Sequence, residues 1–168
     1  MAPQNPRRTL AGRLVWLTAI GIAFGHIEAA CVVYIRHFMD WVPLPGDLGP
    51  EMLAELPGWL IVTEQTREMA TILMLLAVAA LVGRNPLEKI ATFLFAFGVW
   101  DIVYYIALRV MIGWPESLAT MDCLFLIPKA WFAPVWIPMC AALVMVAIGA
   151  VMMASIEKYS AKYGGVGG

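Results

Sequence analysis

The chain has 168 residues, of which 62% are apolar and 14% charged, with mean hydropathy +0.80. Soluble domains carry about 45–50% apolar and about 25% charged residues, so this balance excludes a disordered chain, a secreted disulfide scaffold and an ordinary soluble enzyme, and indicates a polytopic membrane protein. The net charge of −1 is spread along the chain, without the clustered basic patch that nucleic-acid binding needs.

Residues 1–13 read as a cytoplasmic segment carrying Arg7, Arg8 and Arg13. The first span is expected over Leu14–Ile35, about the 20 residues that cross a bilayer. Its start loosely suggests a signal peptide, but His26 and Glu28 interrupt the apolar stretch, and Val32-Val33-Tyr34-Ile35 continue it beyond Cys31. The segment is therefore expected to be retained. Gly21, Gly25 and Glu28 fall on one helical stripe, so the glycines let a neighbouring helix approach and bury Glu28. His26 lies about 160° around the helix from Glu28, which separates the two as a ligand pair. Between the first two spans, Pro50–Leu56 fits a short amphipathic helix on the membrane surface.

The second span, Trp59–Val82, opens with Thr63, Glu64, Gln65, Thr66, Arg67 and Glu68. The apolar run that follows, Met69–Gly83, is only about 22 Å long at helical rise, so at least Glu68 is drawn into the membrane or into protein. Glu64 and Glu68, at i and i+4, share a face and suit two ligands to one hard cation or a shared-proton pair. In the third span, Ile90–Ile112, Gly98, Asp101 and Tyr105 share a face beside Trp100 and Tyr104, with Arg109 further out. An aspartate within a span costs about 2.5–3.5 kcal/mol on insertion scales and is expected to face partners rather than lipid.

The loop Trp114–Pro134 is rich in Trp, Pro and apolar residues. It fits either an aromatic belt, with Trp41 and Trp59, or a lid over the bundle mouth or a docking segment. The belt leaves Asp122 unexplained. The fourth span is expected over Trp131–Ile156, followed by a flexible tail, 157–168. Cys31, Cys123 and Cys140 are far apart and form no CxxC, so they read as small apolar fillers. No convincing motif for phosphate, dinucleotide, haem or a serine or cysteine nucleophile is present.

These segments predict an all-α integral membrane protein, a four-helix transmembrane domain over 14–156. Seven basic residues flank one set of span ends (Arg7, Arg8, Arg13, Arg84, Lys89, Lys158, Lys162) against three at the other (Arg36, Arg109, Lys129). That bias places both termini in the cytoplasm, and the short chain and loops lean towards a bacterial inner membrane. The first and third spans superpose at an offset of 73: Ala23-Phe24-Gly25 on Ala96-Phe97-Gly98, Glu28 on Asp101, Arg36 on Arg109 and Trp41 on Trp114. Read as a duplication, this makes two tandem hairpins about a pseudo-twofold axis; read as convergence, it reflects small residues recurring where membrane helices pack.

Measured from the outer end, Glu28 lies about 10 Å deep, Glu64 and Glu68 about 8–14 Å and Asp101 about 16 Å. Four acids thus converge on one outward-facing layer, with Arg67 and Arg109 as counter-charges. Three readings fit: a structural ion-pair network; a divalent-metal site of Glu28, Glu64, Glu68 and Asp101 with His26; and a proton-relay or quinone-type pocket with Tyr104, Tyr105 and Trp100. The Glu-x-x-His pattern of di-iron bundles is absent. Function is therefore expected to be binding of a cation or small polar ligand in this layer. The competing expectation is an accessory subunit of a larger membrane complex, or a homo-oligomer. The bilayer itself is the one partner common to both.

Overall fold

In a computed structural model that describes residues 9–40 and 49–163, four long helices carry the apolar runs: α1 (Leu10–Phe38), α3 (Gly58–Val82), α4 (Pro86–Ile112) and α5 (Trp136–Tyr163). All four are long and apolar enough to cross a membrane. Large apolar side chains on their outward faces, among them Ile27, Leu73, Leu81, Val110 and Val151, are exposed, as in a bundle whose surroundings are apolar. A short helix, α2 (Pro50–Glu55), matches the one expected before the second span. Of the residues used above, Arg7, Arg8, Trp41 and the last residues of the tail, 164–168, lie outside the described residues.

Local chemistry sets the ends. Thr9 caps α1, its hydroxyl accepting from Gly12 N at 3.2 Å. Asn85 caps α4, accepting from Glu88 N at 2.9 Å, with Pro86 in the first turn where its missing N–H costs nothing. This cap starts α4 four residues before the expected Ile90. Gly113, at φ 72°, closes α4 in the left-handed region that glycine adopts without strain.

α4 is the central helix, packed against α1, α3 and α5. Gly21 sits against Val99, and Gly25 against Val103 and Tyr104, so α1 and α4 run parallel. A Cβ on Gly25 would lie 2.5 Å from the Trp100 carbonyl oxygen, and one on Gly98 2.5 Å from that of Ala142; both interfaces need the missing side chain. The expectation that the glycine stripe buries Glu28 holds. α3 and α5 return antiparallel, which gathers the start of α1, the end of α3, the start of α4 and the end of α5 at one end, the terminal end. Leu10 N donates to Glu157 there, at 3.4 Å. The surroundings of α1 and α4 are unlike: α4 packs closely on α5, whereas α1 and α3 stand apart, with a cavity between them towards each end.

The all-α expectation fails at one place. Residues beyond α4 form an antiparallel hairpin, β1 (Met121–Phe125) with β2 (Trp131–Pro134), pairing Asp122 with Ala133 and Cys123 with Phe132 and shifting register before Phe125. The fourth membrane helix therefore begins at Trp136, not Trp131. Pro134 biases Ala133 to an extended backbone, whereas Pro138 is tolerated in the first turn of α5. Val135 N and Trp136 N donate to Thr120 O and Leu118 O at 3.0 and 2.8 Å, fixing the hairpin to α5. Buried Trp114, Tyr105, Leu108, Ala29 and Val135 form the apolar cluster beneath it.

Candidate functional site

At the hairpin end a cavity of about 330 Å³ opens between α1, α3 and α4, closed above by the hairpin, α2 and the start of α5. Glu28, Glu64, Arg67, Glu68 and Asp101, expected in one layer, line it together with Tyr104 and Tyr105. Arg36, Asp122 and Cys123 join them.

Within the lining, α3 supplies the bridge across the gap to α1. Arg67 pairs with Glu64 on its own helix, Nη2 to Oε2 at 2.6 Å and Nε to Oε2 at 2.9 Å, and its Nη1 pairs with Glu28 Oε1. Thr71 Oγ1 donates to the second Glu28 oxygen at 3.3 Å. Glu68 turns away from this group and accepts from Leu126 N, 3.1 Å to each carboxylate oxygen, while Gln65 Nε2 donates to Leu126 O at 3.4 Å. The polar start of α3 therefore holds the hairpin turn in place. Thr63 and Thr66 satisfy themselves on the helix backbone, as hydroxyls in membrane helices often do.

This arrangement corrects several expectations. Glu64 and Glu68 share a face but not a ligand: an arginine takes one and a backbone amide the other. His26 is exposed on the outside of α1, away from the cavity. No three His, Cys, Asp or Glu side chains among the described residues come together as a metal-binding group, because Arg67 occupies the space between Glu28 and Glu64. Arg109 is not the counter-charge of Asp101. It bends back over the end of α4, donating to Gly113 O and, at 2.9 Å, to Pro115 O, as basic side chains in a last helical turn commonly do.

Three lining residues, Asp122, Cys123 and Arg36, were missed as site residues. Asp122, on β1 and 3% exposed, accepts from Tyr105 Oη at 2.8 Å. Burial pushes its carboxyl up to about 6, partly offset by Arg36 and by the Tyr105 hydrogen bond. Burial, with Asp122 and Glu68 nearby, likewise pushes the Cys123 thiol up to about 12, so it is a neutral, inert thiol at physiological pH. Arg36, also 3% exposed, lies over the Trp114 ring with its guanidinium carbon 3.9 Å from the ring centroid. Its place near the end of the first span suggested a loop charge; the signal was the large apolar fraction of the segment that follows α4, which could cover it.

Asp101 has no hydrogen-bond or ion-pair partner among the described residues, and neither does the Arg36 guanidinium. The lining counts five carboxyl groups (Glu28, Glu64, Glu68, Asp101, Asp122) against two guanidinium groups (Arg36, Arg67). Aromatic rings form much of the remaining wall: Phe97 is stacked on Phe125 at 6.5 Å and edge-on to Trp100 at 5.1 Å, and Trp131 and Phe132 of the hairpin also line the cavity. No protein-family model, curated protein or solved structure matches the chain, so the site stands on its own geometry.

Proposed function

We propose that the protein is a small membrane-embedded binding protein whose site is this cavity, and that its ligand is a small molecule with a polar group. One observation carries the reading: charged side chains from α1 and α4, Arg36 and Asp101, line a cavity in the bundle with no hydrogen-bond or ion-pair partner among the described residues. Burying such groups is costly unless something meets them. The positive-charge bias supports a topology with the termini inside and the cavity facing outward, in a bacterial inner membrane. A divalent cation is disfavoured by the dispersed carboxylates described above.

The test is to purify the protein into nanodiscs, extract it with solvent and analyse the extract by mass spectrometry, comparing wild type with Ala141→Trp, which fills the cavity from α5. The expected result is a near-stoichiometric small molecule from wild type that is lost from a monodisperse A141W. Its absence from wild type under all extraction conditions contradicts the reading.

A second reading, an accessory subunit of a larger membrane complex, is favoured by the Glu28–Arg67–Glu64 network that ties α1 to α3. It predicts that Arg67→Met abolishes co-purification of a membrane partner, whereas the binding reading predicts no stable partner to lose.

A further inference from the structure

A second cavity, of about 650 Å³, opens between α1 and α3 at the terminal end. On α1 its lining runs from Arg13, near the start of the helix, to Ile20, about 10 Å of helix. Leu81 lines it near the end of α3, and Arg84 lines it two residues beyond that helix. The groove is therefore basic where the helices end and apolar further along α1. Leu17 in its lining is buried, whereas Trp16, Ile20 and Leu81 are exposed. In helices that cross a membrane, exposed apolar side chains of this kind meet lipid chains.

The described residues lining this groove include no acid. Glu88, the carboxylate that meets both arginines, is buried and outside the lining. Glu157, the other acid beside α1 at this end, accepts from Leu10 N and also lies outside it. One carboxylate against two guanidinium groups leaves this groove positive. The two arginines differ in reach. Arg13 is 7% exposed, so it contributes positive potential rather than a contact, and apolar surroundings screen that potential poorly. The Arg84 side chain is 66% exposed and meets Glu88 through Nε at 3.4 Å, long for a charge-assisted contact. Its guanidinium is thus accessible to an anion.

The complementary occupant joins an anionic head to an apolar chain. An acyl chain suits the apolar stretch, and a phosphate diester suits a guanidinium, which can pair with two of its oxygens. A zwitterionic headgroup fits less well: its ammonium would lie beside two arginines, with no acid in the lining to receive it. Basic pockets between membrane helices hold anionic headgroups on the same principle.

We infer that the groove between α1 and α3 at the terminal end holds an anionic phospholipid, its phosphate against Arg84 in the field of Arg13 and an acyl chain along Trp16 and Ile20. This site is separate from the cavity under the hairpin and does not depend on what that cavity binds.

The experiment titrates the full chain in detergent with an equimolar mixture of dioleoylphosphatidylglycerol and dioleoylphosphatidylcholine and counts the bound lipids by native mass spectrometry. The expected result is a preference of about tenfold for the anionic lipid. Arg84→Gln is expected to reduce it to about twofold, because it removes the accessible guanidinium and leaves the Arg84 N–H to Glu88 in place. Lys158→Gln makes the same charge change at the same end but outside the groove, and is expected to leave the preference unchanged. Ile20→Trp fills the groove and is expected to reduce the adducts of both lipids. Equal binding of the two lipids, or equal losses in R84Q and K158Q, overturns the inference, since the attraction is then absent or diffuse. Unchanged adducts in I20W overturn the placement in this groove. Displacement of the lipid by equimolar glycerol 3-phosphate would show a site for a free phosphate and overturn the lipid as its occupant.

Discussion

The bundle has a polar layer at each end, and the two are built on different principles. At the terminal end Arg13 and Arg84 converge on Glu88: Arg13 Nη1 lies 3.3 Å from Oε1, Arg84 Nε 3.4 Å from Oε2, and Arg84 N donates to Oε2 at 2.7 Å. Glu157 adds a second carboxylate, accepting from Leu10 N. Glu88 meets two basic side chains and ties the start of α1 to the start of α4, and Glu157 ties the end of α5 to the start of α1. At the hairpin end the acids outnumber the arginines in the cavity lining, and two charged side chains there have no hydrogen-bond or ion-pair partner among the described residues. A matched layer fixes helix positions. An unmatched one beside a cavity retains groups that folding alone does not use, which is what a binding site requires.

The largest effect is expected from breaking the matched layer. Glu88, 3% exposed, leaves two guanidinium groups without their shared carboxylate when replaced. Glu88→Ala is therefore expected to lower stability by about 3–5 kcal/mol, read from unfolding in detergent, with extraction of any cavity ligand unaffected. Helix contact comes next: Gly98→Ala pushes a methyl group into the Ala142 carbonyl of α5 and is expected to cost about 1–3 kcal/mol in the same measurement.

Asp122 sharpens the comparison through pH. Its carboxyl titrates near 6 in the folded protein and near 3.9 in an unfolded chain, so the native state takes up the proton in that window. Stability from this group is greatest below about pH 4 and is lost as pH rises to about 6, by an amount on the order of 2–3 kcal/mol. Unfolding of wild type and Asp122→Asn compared from pH 4 to pH 8 is expected to show a falling difference for wild type that the variant lacks. Parallel curves would mean that Asp122 is not buried as an acid.

The sequence made the four membrane helices legible because hydropathy and the need to satisfy the backbone in lipid leave few alternatives. It also put Glu28, Glu64, Glu68 and Asp101 in one layer, since helical rise converts position into depth; these side chains line one cavity together with Arg67, Tyr104 and Tyr105. It failed where position alone does not decide. Trp131–Pro134 is as apolar as the helix after it, and the register of this strand pair depends on partners six (Phe125↔Trp131) to thirteen (Met121↔Pro134) positions away. Arg109 and Arg36 lie at equivalent places in the two superposed spans, yet one caps its own helix and the other is buried over Trp114. Arg13 and Arg84 read as topological charges because the acid that meets them, Glu88, lies on another helix or beyond a turn.

The smallest expected effect is the most decisive. Asp101 loses no hydrogen bond or ion pair on replacement, so the unfolding midpoint of Asp101→Asn, in a detergent preparation stripped of small molecules, is expected to equal or exceed that of wild type, within about 0.5 kcal/mol on the low side. A loss comparable to that of E88A, about 3 kcal/mol or more, would show that the hairpin-end layer is structural like the other, and would contradict the account of the cavity as a binding site.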